Sequence, residues 1–379
     1  MKVEGDWLTA PATQAVFAML DRAGHRALAV GGCVRNALLG AAVADIDIAT
    51  DALPETVMDL AHAAGLKPIP TGIDHGTITV ISDHVPHEVT TFRRDIDTDG
   101  RHATVAFSTE VAEDAARRDF TMNALYADAR GGLVDPLGGL ADLRARHVRF
   151  IGEAEARIAE DYLRILRFFR FTAWYGDPAL GLDGEGLAAC AAGAEGLDRI
   201  SAERIGQELR KLLAAPDPGP SVAAMAQAGI LARILPGAEV TALPVLIHLE
   251  QRADWVTRLA ALGGDVGRLR LSRAELRALA DVGGGARDGA SAFALGDRLG
   301  ARACDAVILR AALMGQAVDP TDLDLAAEGA AVEFPLAAAD LMPELSGPAL
   351  GAALQAARAA WHDSGGTLDR TALRRIALR

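Results

Sequence analysis

Apolar and polar positions alternate in short blocks along the first 92 residues, with glycine or proline between the blocks. Three blocks repeat their apolar side chains at helical spacing, which predicts helices at 10–23, 33–39 and 54–65. Other blocks are short and extended, which predicts strands near 27–30, 43–48, 66–70, 75–81 and 85–92. These elements predict a small domain with a mixed sheet and helices.

The pattern changes after residue 92. Residues 93–104 (RRDIDTDGRHAT) are polar and predict a loop, and helical spacing returns near 110–118. A turn cluster, DPLGG, at 135–139 predicts a hinge. From about residue 140 to the end almost every apolar block has helical spacing. Breaks in this helical part are predicted at Pro216, Pro218, Pro220 and 318–322.

Composition limits the class of protein. With 379 residues, the chain is long enough for two or three structural units, and 50% hydrophobic residues exclude wholesale disorder. The net charge of −13 argues against a general polybasic coat for nucleic acid, although a local basic groove is compatible with it. Nearly all of the basic residues are arginine, since the lysines are Lys2, Lys67 and Lys211.

Cysteine usage and hydropathy exclude further classes. The three cysteines, Cys33, Cys190 and Cys304, are far apart and form no CxxC pair, which argues against a disulfide framework and against a thiolate zinc site. The first residues have no signal-peptide pattern, and no stretch is apolar and long enough to predict a membrane span. We therefore expect a cytoplasmic protein of several domains, without zinc and without a membrane partner.

Two carboxylates, Asp45 and Asp47, are spaced two residues apart in the block VADIDI. On a strand this spacing puts both on one face, with Ile46 and Ile48 on the other. Carboxylates about 7 Å apart along a strand can share divalent cations. The alternative interpretation is an edge strand with a polar, solvent-facing side.

A glycine turn, Gly31-Gly32-x-x-Arg35, precedes these carboxylates by about ten residues. Glycines let the backbone approach a ligand, and a helix start attracts phosphate. A triphosphate on the turn with metals on the carboxylates predicts nucleotidyl transfer by two cations. Glu88 is the candidate third carboxylate, with a solvent-facing strand glutamate as the alternative.

Another polar motif, in the block RRDFTMN, consists of Arg117, Arg118, Asp119 and Asn123. Arginines beside a carboxylate and an amide suit recognition of phosphates and ribose hydroxyls. The alternative is an ion pair at a helix end with a local turn.

A charged series follows in the block EDYLRILRFFRF, with Glu160, Asp161, Arg164 and Arg167. Spacing by three residues places Asp161, Arg164 and Arg167 along one side of a predicted helix. The alternative is a ladder of salt bridges within that helix.

Together these motifs resemble those of a known enzyme family. GGCVRN, DID, EVTTFRRD, RRDFTMNAL, DPLGGLADL, EDYLRILRFFRF and SAERIGQEL occur in this order over residues 27–209. The order is similar to that of the class II tRNA nucleotidyltransferases, which are the bacterial CCA-adding enzymes and their poly(A) polymerase relatives. The resemblance implies an α+β fold, with a nucleotidyltransferase head like that of DNA polymerase β before an all-α neck, body and tail. The implied bounds are 1–139, 140–215, 216–320 and 321–379.

The resemblance also implies residue roles. Asp45 and Asp47 would bind two Mg²⁺ ions and activate an RNA 3′-hydroxyl. The other implied roles are triphosphate binding (Gly31, Gly32, Arg35), ribose sensing (Arg117 or Arg118, Asp119, Asn123), base selection (Glu160, Asp161, Arg164, Arg167), the hinge between head and neck (Asp135–Gly139, Asp142) and support of the neck (Ser201, Glu203, Arg204).

The implied activity is addition of C, C and A to tRNA 3′ ends from CTP and ATP. The alternatives are a poly(A) polymerase, a CC-adding or A-adding enzyme of the same fold and, more remotely, a non-catalytic RNA-binding protein. This chain has Asn36 where the family usually has Asp, and its loop at 94–105 lacks the family's Tyr and Pro. The choice among CCA-, CC- and A-adding activity therefore stays open. The implied partner is tRNA, held by its 3′ end, acceptor arm and elbow, along arginines that include Arg93, Arg94, Arg101, Arg117 and Arg118.

Overall fold

The computed structural model describes residues 2–99 and 102–379. The chain divides into two compact units, Met1–Ile200 and Ser201–Arg379. The first contains both sheets and the second is helical. The predicted α+β class is therefore confirmed. The four-part division into head, neck, body and tail stays a prediction, since the structure divides the chain at residue 200.

A mixed sheet organises the first unit. Its strands run in the order β3-β4-β5-β2-β1-β8-β9, and β6 pairs with β7 separately. The β2–β5 pair is parallel, and the other neighbouring pairs are antiparallel. The strands are β1 (Ala27–Val30), β2 (Asp47–Thr50), β3 (Lys67–Gly72), β4 (Thr77–Ser82), β5 (Val85–Thr91), β6 (Arg93–Asp99), β7 (His102–Phe107), β8 (Tyr126–Ala127) and β9 (Leu133–Val134).

Short helices accompany the sheets. In α2 and α4 a proline stands in the first turn, where its missing N–H costs no hydrogen bond. The helices of this unit are α1 (Asp6–Thr9), α2 (Pro11–Arg22), α3 (Gly32–Leu38), α4 (Pro54–Ala63), α5 (Val111–Ala116), α6 (Gly139–Arg144), α7 (Ala154–Glu160), α8 (Leu163–Tyr175) and α9 (Gly184–Ala192).

Aromatic packing joins α8 to the segment that carries the RRDFTMN motif. Phe120 lies 4.9 Å from Phe150 and 5.0 Å from Phe171 between ring centroids. Phe168 and Phe169 of the same helix are fully buried. Close aromatic pairs add to the free energy of burial. This cluster therefore fixes α8 against the residues predicted to form the nucleotide site.

Three sequence predictions need correction. The polar block 93–104 was predicted as a loop, but β6 and β7 form a two-stranded ribbon there, because backbone hydrogen bonds alone can build such a pair. The predicted strand 43–48 begins at Asp47 and not before it. The helix predicted through 160–170 is interrupted, because α7 ends at Glu160 and α8 begins at Leu163.

The second unit is built from helices packed on small residues. Gly296 and Gly329 let two helices touch, since a Cβ on Gly329 would lie 2.2 Å from the carbonyl oxygen of Phe293. Its helices are α10 (Ala202–Leu213), α11 (Gly219–Gln227), α12 (Ile230–Ile234), α13 (Ala242–Leu249), α14 (Trp255–Leu262), α15 (Arg273–Arg287), α16 (Ala292–Leu299), α17 (Ala303–Met314), α18 (Pro320–Ala331), α19 (Gly347–Asp363) and α20 (Arg370–Ala377). Within the described residues of the whole chain, none of the helices could cross a membrane.

Candidate active site

Three carboxylates meet at the edge where β2 and β5 begin to pair. Asp47 is the first residue of β2 and lies opposite Glu88 in the parallel register. The Glu88 amide donates to the carbonyl of Ile46 at 3.1 Å. Ile46 and Ile48 are buried while Asp45 is exposed, which is the alternation that the sequence predicts. The fold therefore places Asp45, Asp47 and Glu88 close together.

The electrostatics of this edge are unfavourable without a cation. Burial, with smaller contributions from the charges of Glu88 and Asp45, raises the pKa of Asp47 to about 6, although the charge of Arg118 partly offsets these effects. The negative charge here exceeds what Arg118 neutralises. A bound cation would relieve this excess.

The carboxylate ligands at this edge suit a hard divalent cation such as Mg²⁺. In residues 2–99 and 102–379 no group of three or more His, Cys, Asp or Glu side chains is arranged to hold a metal ion. Mg²⁺ commonly takes one or two carboxylates together with waters and substrate phosphates. Asp45 and Asp47 fit that description, whereas a site made wholly of protein ligands is not formed.

The glycine turn lies beside an arginine. Gly31 has φ +71°, which favours glycine, and a Cβ there would lie 3.4 Å from an Nη atom of Arg118. Arg118 is also near enough to Asp47 for its charge to lower the pKa of that carboxyl. The structure therefore brings Gly31, Arg118 and the carboxylate edge together.

Two residues that the motifs did not single out hold Arg118 in place. The Arg118 side chain donates to Asp114 at 2.9 Å and to the Tyr126 hydroxyl at 3.1 Å, and that hydroxyl donates to Asp114 at 2.8 Å. Burial alone would raise the pKa of Asp114, but Arg118 and Tyr126 outweigh it and hold the pKa below its ordinary value. The spacing of four residues between Asp114 and Arg118 was the available sequence signal.

Asp119 and Asn123 form the centre of a buried network. The Asp119 carboxylate accepts from the Asn123 amide at 2.9 Å, from the Phe120 N–H at 2.8 Å and from the Arg167 Nε at 2.8 Å. Burial would raise the pKa of Asp119, but these donors, with Arg167 foremost, lower it to about 2. The predicted ribose group and one member of the predicted base-selecting group are thus joined.

Arg35 lies inside the protein, although the motif suggested direct triphosphate contact. Its side chain is 6% exposed and donates to Asn36, Asn123 and the Tyr175 hydroxyl. A Cβ on Gly32 would lie 3.9 Å from an Arg35 Nη atom, so the guanidinium charge is next to the glycine turn. Arg35 therefore lies on the buried side of this turn.

The predicted base-selecting group is split between two helices. Asp161 lies in the junction and accepts from the Leu163 N–H at 3.1 Å, so its placement with Arg164 on one helix face was wrong. Arg164 pairs with Glu160 and donates to the Arg117 carbonyl at 3.1 Å. Because no Pro or Gly marks the break, the sequence pattern gave no sign of it.

The remaining predicted residues have local partners. Asp135 accepts from the Gly139 N–H at 2.8 Å, and Asp142 accepts from Thr121 at 2.6 Å, both near the start of α6. In the second unit Ser201 caps α10 by accepting from the Arg204 N–H at 3.4 Å, and Glu203 forms an exposed ion pair with Arg270 at 3.4 Å. Of the arginines named for a tRNA path, Arg101 lies outside the described residues.

Comparison with known proteins gives consistent matches. The model of the poly(A) polymerase head domain matches residues 27–149, and that of the probable RNA and SrmB-binding site of polymerase A matches residues 181–241. The CCA-adding enzyme of Geobacillus thermodenitrificans is 40% identical over 248 residues, which is 65% of this chain and 57% of that enzyme. The chain is therefore similar to the class II tRNA nucleotidyltransferase and bacterial poly(A) polymerase family.

Another relative is similar over a shorter length. The mitochondrial CCA tRNA nucleotidyltransferase 1 of Mus musculus is 46% identical over 190 residues, which is 50% of this chain and 44% of that protein. The chain thus matches about half the length of these curated relatives.

Solved structures extend the similarity to almost the whole chain. The CCA-adding enzyme of Bacillus stearothermophilus in complex with CTP superposes with a TM-score of 0.75 at 28% identity, covering 93% of this chain and 92% of that one. The Thermotoga maritima CCA-adding enzyme complexed with tRNA has a TM-score of 0.70 at 19% identity, covering 100% and 98%, and shares the fold.

Proposed function

We propose that this protein adds C, C and A to the 3′ end of tRNA, using CTP and ATP and releasing diphosphate. The observation that carries the proposal is the carboxylate edge of Asp45, Asp47 and Glu88 beside Gly31 and Arg118. The relatives named as CCA-adding enzymes, and the related structure that contains CTP, support the choice of substrates. The family also includes poly(A) polymerases, and the experiment below separates the two.

In this proposal Asp45 and Asp47 hold two Mg²⁺ ions, with phosphate oxygens and water as further ligands. When bound, the metal ions supply Lewis-acid stabilisation of the attacking and leaving oxygens. Asp47 is fixed by β2, and Glu88 is held opposite it by the strand register. Glu88 adds negative charge that favours cation binding, and it is our candidate third carboxylate.

The phosphates of the nucleotide lie on the glycine turn. Without a Cβ at Gly31, a phosphate can approach the backbone and Arg118 together. Asp114 and Tyr126 fix the direction of the Arg118 guanidinium, so little side-chain entropy is lost when phosphate binds. Arg35 contributes positive charge from beneath the turn.

The ribose is sensed by the neighbouring polar group, to which Arg117, Arg118, Asp119 and Asn123 belong. The buried carboxylate of Asp119 orients Asn123, because it accepts from the Asn123 amide. Because Asn123 is held in one orientation, it discriminates against a sugar that lacks the hydroxyl it would bind more strongly than a mobile side chain would. Asp119 therefore acts through Asn123 and Arg167.

Base selection rests on Glu160, Asp161, Arg164 and Arg167. Cytosine and adenine each present an amino donor beside a ring-nitrogen acceptor, whereas uracil and guanine present a carbonyl acceptor beside an N–H donor. A carboxylate beside a guanidinium can therefore accept C and A and reject U and G. Arg164 now bonds to Glu160, so the incoming base must compete with that ion pair.

The proposed macromolecular partner is tRNA, which would be held by its acceptor arm and elbow. The predicted tail, 321–379, carries no metal or nucleotide motif, and we assign it to tRNA docking. Arg374 forms an exposed ion pair with Glu344, and the exposed side chain of Arg370 pairs with the largely buried carboxylate of Asp340. An exposed pair such as Arg374–Glu344 is weak enough for RNA phosphates to compete with it.

The proposal is tested by sequencing the 3′ ends of tRNAs after incubation with the purified protein, Mg²⁺ and nucleotides. Substrates lacking one, two or three terminal nucleotides are given CTP, ATP or both. When both nucleotides are supplied, the proposal predicts completion of CCA on all three substrates and no further addition. Runs of A on every substrate would indicate a poly(A) polymerase, addition of CC or A alone would indicate a partial activity, and no addition would refute nucleotidyl transfer.

A further inference from the structure

Arg35 is a buried cation whose hydrogen bonds go to neutral side chains. Two of its nitrogens donate to the Asn36 oxygen at 2.9 and 3.2 Å, and it also donates to Asn123 and, at 2.8 Å, to the Tyr175 hydroxyl. Burial lowers the pKa of Arg35 below its ordinary value, although the charge of the nearby Asp119 carboxylate partly offsets this. Because these hydrogen bonds go to neutral oxygens, the guanidinium can still attract a further anion.

Tyr175 contacts this cation in two ways. Its hydroxyl accepts a hydrogen bond, and its ring centroid lies 4.0 Å from the Arg35 Cζ, which is a close cation–π distance. Phe171, one turn earlier on α8, lies at 5.1 Å from the same atom. The last turn of α8 thus encloses the guanidinium.

The same helix carries the arginines assigned to the base. Arg164 stands in its first turn and Arg167 in its second, while Tyr175 is its last residue. Since Arg35 lies beneath the glycine turn, α8 touches the base-selecting region at one end and the triphosphate region at the other.

We propose that Tyr175 is a positioning residue that holds the Arg35 guanidinium against the Gly31–Gly32 turn, so that the helix bearing the base-selecting arginines also fixes the triphosphate site. This inference rests on the proposed function for the identity of the triphosphate. Tyr175 itself touches neither substrate nor metal and acts through Arg35. It should therefore govern affinity for the phosphate chain and leave base preference unchanged.

The test compares Tyr175→Phe, which keeps the ring and loses the hydroxyl, with Tyr175→Leu, which loses both. We expect the KM for CTP and for ATP to rise about fivefold in Tyr175→Phe and about thirtyfold in Tyr175→Leu, because a hydrogen bond and a cation–π contact are lost in turn. The kcat and the preference for CTP over UTP should stay within about twofold of wild type, since the contact is made equally in ground and transition states. The matched control is Trp174→Leu on the same helix, whose side chain is 40% exposed; it should leave the KM unchanged.

Calorimetric binding of inorganic tripolyphosphate, without any base, provides a second measurement. Its dissociation constant should rise in Tyr175→Phe and Tyr175→Leu and stay unchanged in Trp174→Leu. In an Arg35→Met background, Tyr175→Phe should add no further loss, because the donor to the hydroxyl has gone. If Tyr175→Leu does not fold, the smaller change Tyr175→Phe still tests the role of the hydroxyl.

The outcomes separate this inference from the proposed function. Unchanged tripolyphosphate binding in the Tyr175 variants of an active enzyme would overturn the positioning role, as would equal losses in Trp174→Leu. If tripolyphosphate binding weakens in the Tyr175 variants but the wild type adds no nucleotide to tRNA, the positioning role stands and the proposed function fails.

Discussion

Replacing Asp119 by Asn tests the buried network directly. The change removes a charge and keeps the size of the side chain. The pKa of this carboxyl is about 2 in the folded protein, against an ordinary value of 3.8. That difference corresponds to about 2.5 kcal/mol of folding free energy. Asp119 is 7% exposed, so solvent screening reduces this value little.

The sign of the pH dependence follows from the lowered pKa. The stabilisation by Asp119 is fully present above pH 3.8 and is lost as the pH falls toward 2. We therefore expect Asp119→Asn to lower the free energy of unfolding by about 2.5 kcal/mol at pH 7 and at pH 5. The difference from wild type should shrink below pH 4.

Urea unfolding of both proteins at several pH values between 7 and 2.5 measures this difference. The control is Glu55→Gln, an exposed side chain on α4, which should change stability by less than about 0.5 kcal/mol at each pH. A difference between Asp119→Asn and wild type that stays constant down to pH 2.5 would refute the assignment of the stabilisation to the ionised carboxylate.

Three further changes give separate expectations. Gly329→Ala should lower the free energy of unfolding by about 1–3 kcal/mol in urea titrations, because its Cβ meets backbone, whereas Gly284→Ala, with open space around it, should raise it by up to about 1 kcal/mol. Arg258→Met should cost about 3–5 kcal/mol in the same titrations, because it leaves Glu250 buried without its partner. Asp161→Ala should narrow the preference for CTP over UTP in nucleotide-addition assays; an unchanged preference would restrict Asp161 to its helix-junction role.

The sequence predicted the parts of the fold that depend on local pattern. The alternation in VADIDI required Ile46 and Ile48 to be buried, and the structure buries both. The register that sets Asp47 opposite Glu88 joins segments about forty residues apart, and spacing alone does not determine such a pairing. Glu88 could therefore be named as a candidate from its strand, but its position could not be derived.

The site was predicted less completely than the fold, because its side chains act through one another. Arg35 was assigned to the triphosphate from its motif, yet Tyr175, which holds it, lies 140 residues further along the chain. The break at Asp161 has no proline or glycine to mark it. The helical spacing of the charged residues predicted one continuous helix, whereas the packing of α8 on the aromatic cluster fixes a separate helix after Asp161.

Single-turnover addition of CMP to tRNA by wild type and by Asp47→Asn tests whether Asp45 and Asp47 support nucleotidyl transfer. We expect the variant to lose more than about a thousandfold in rate. The melting temperature of the variant should not fall. Burial and the charges of Asp45 and Glu88 make the ionised Asp47 unfavourable in the folded protein without metal, so removing its charge costs no stability. Near-normal addition by a folded Asp47→Asn protein would refute the assignment of Asp47 as a metal ligand in this reaction.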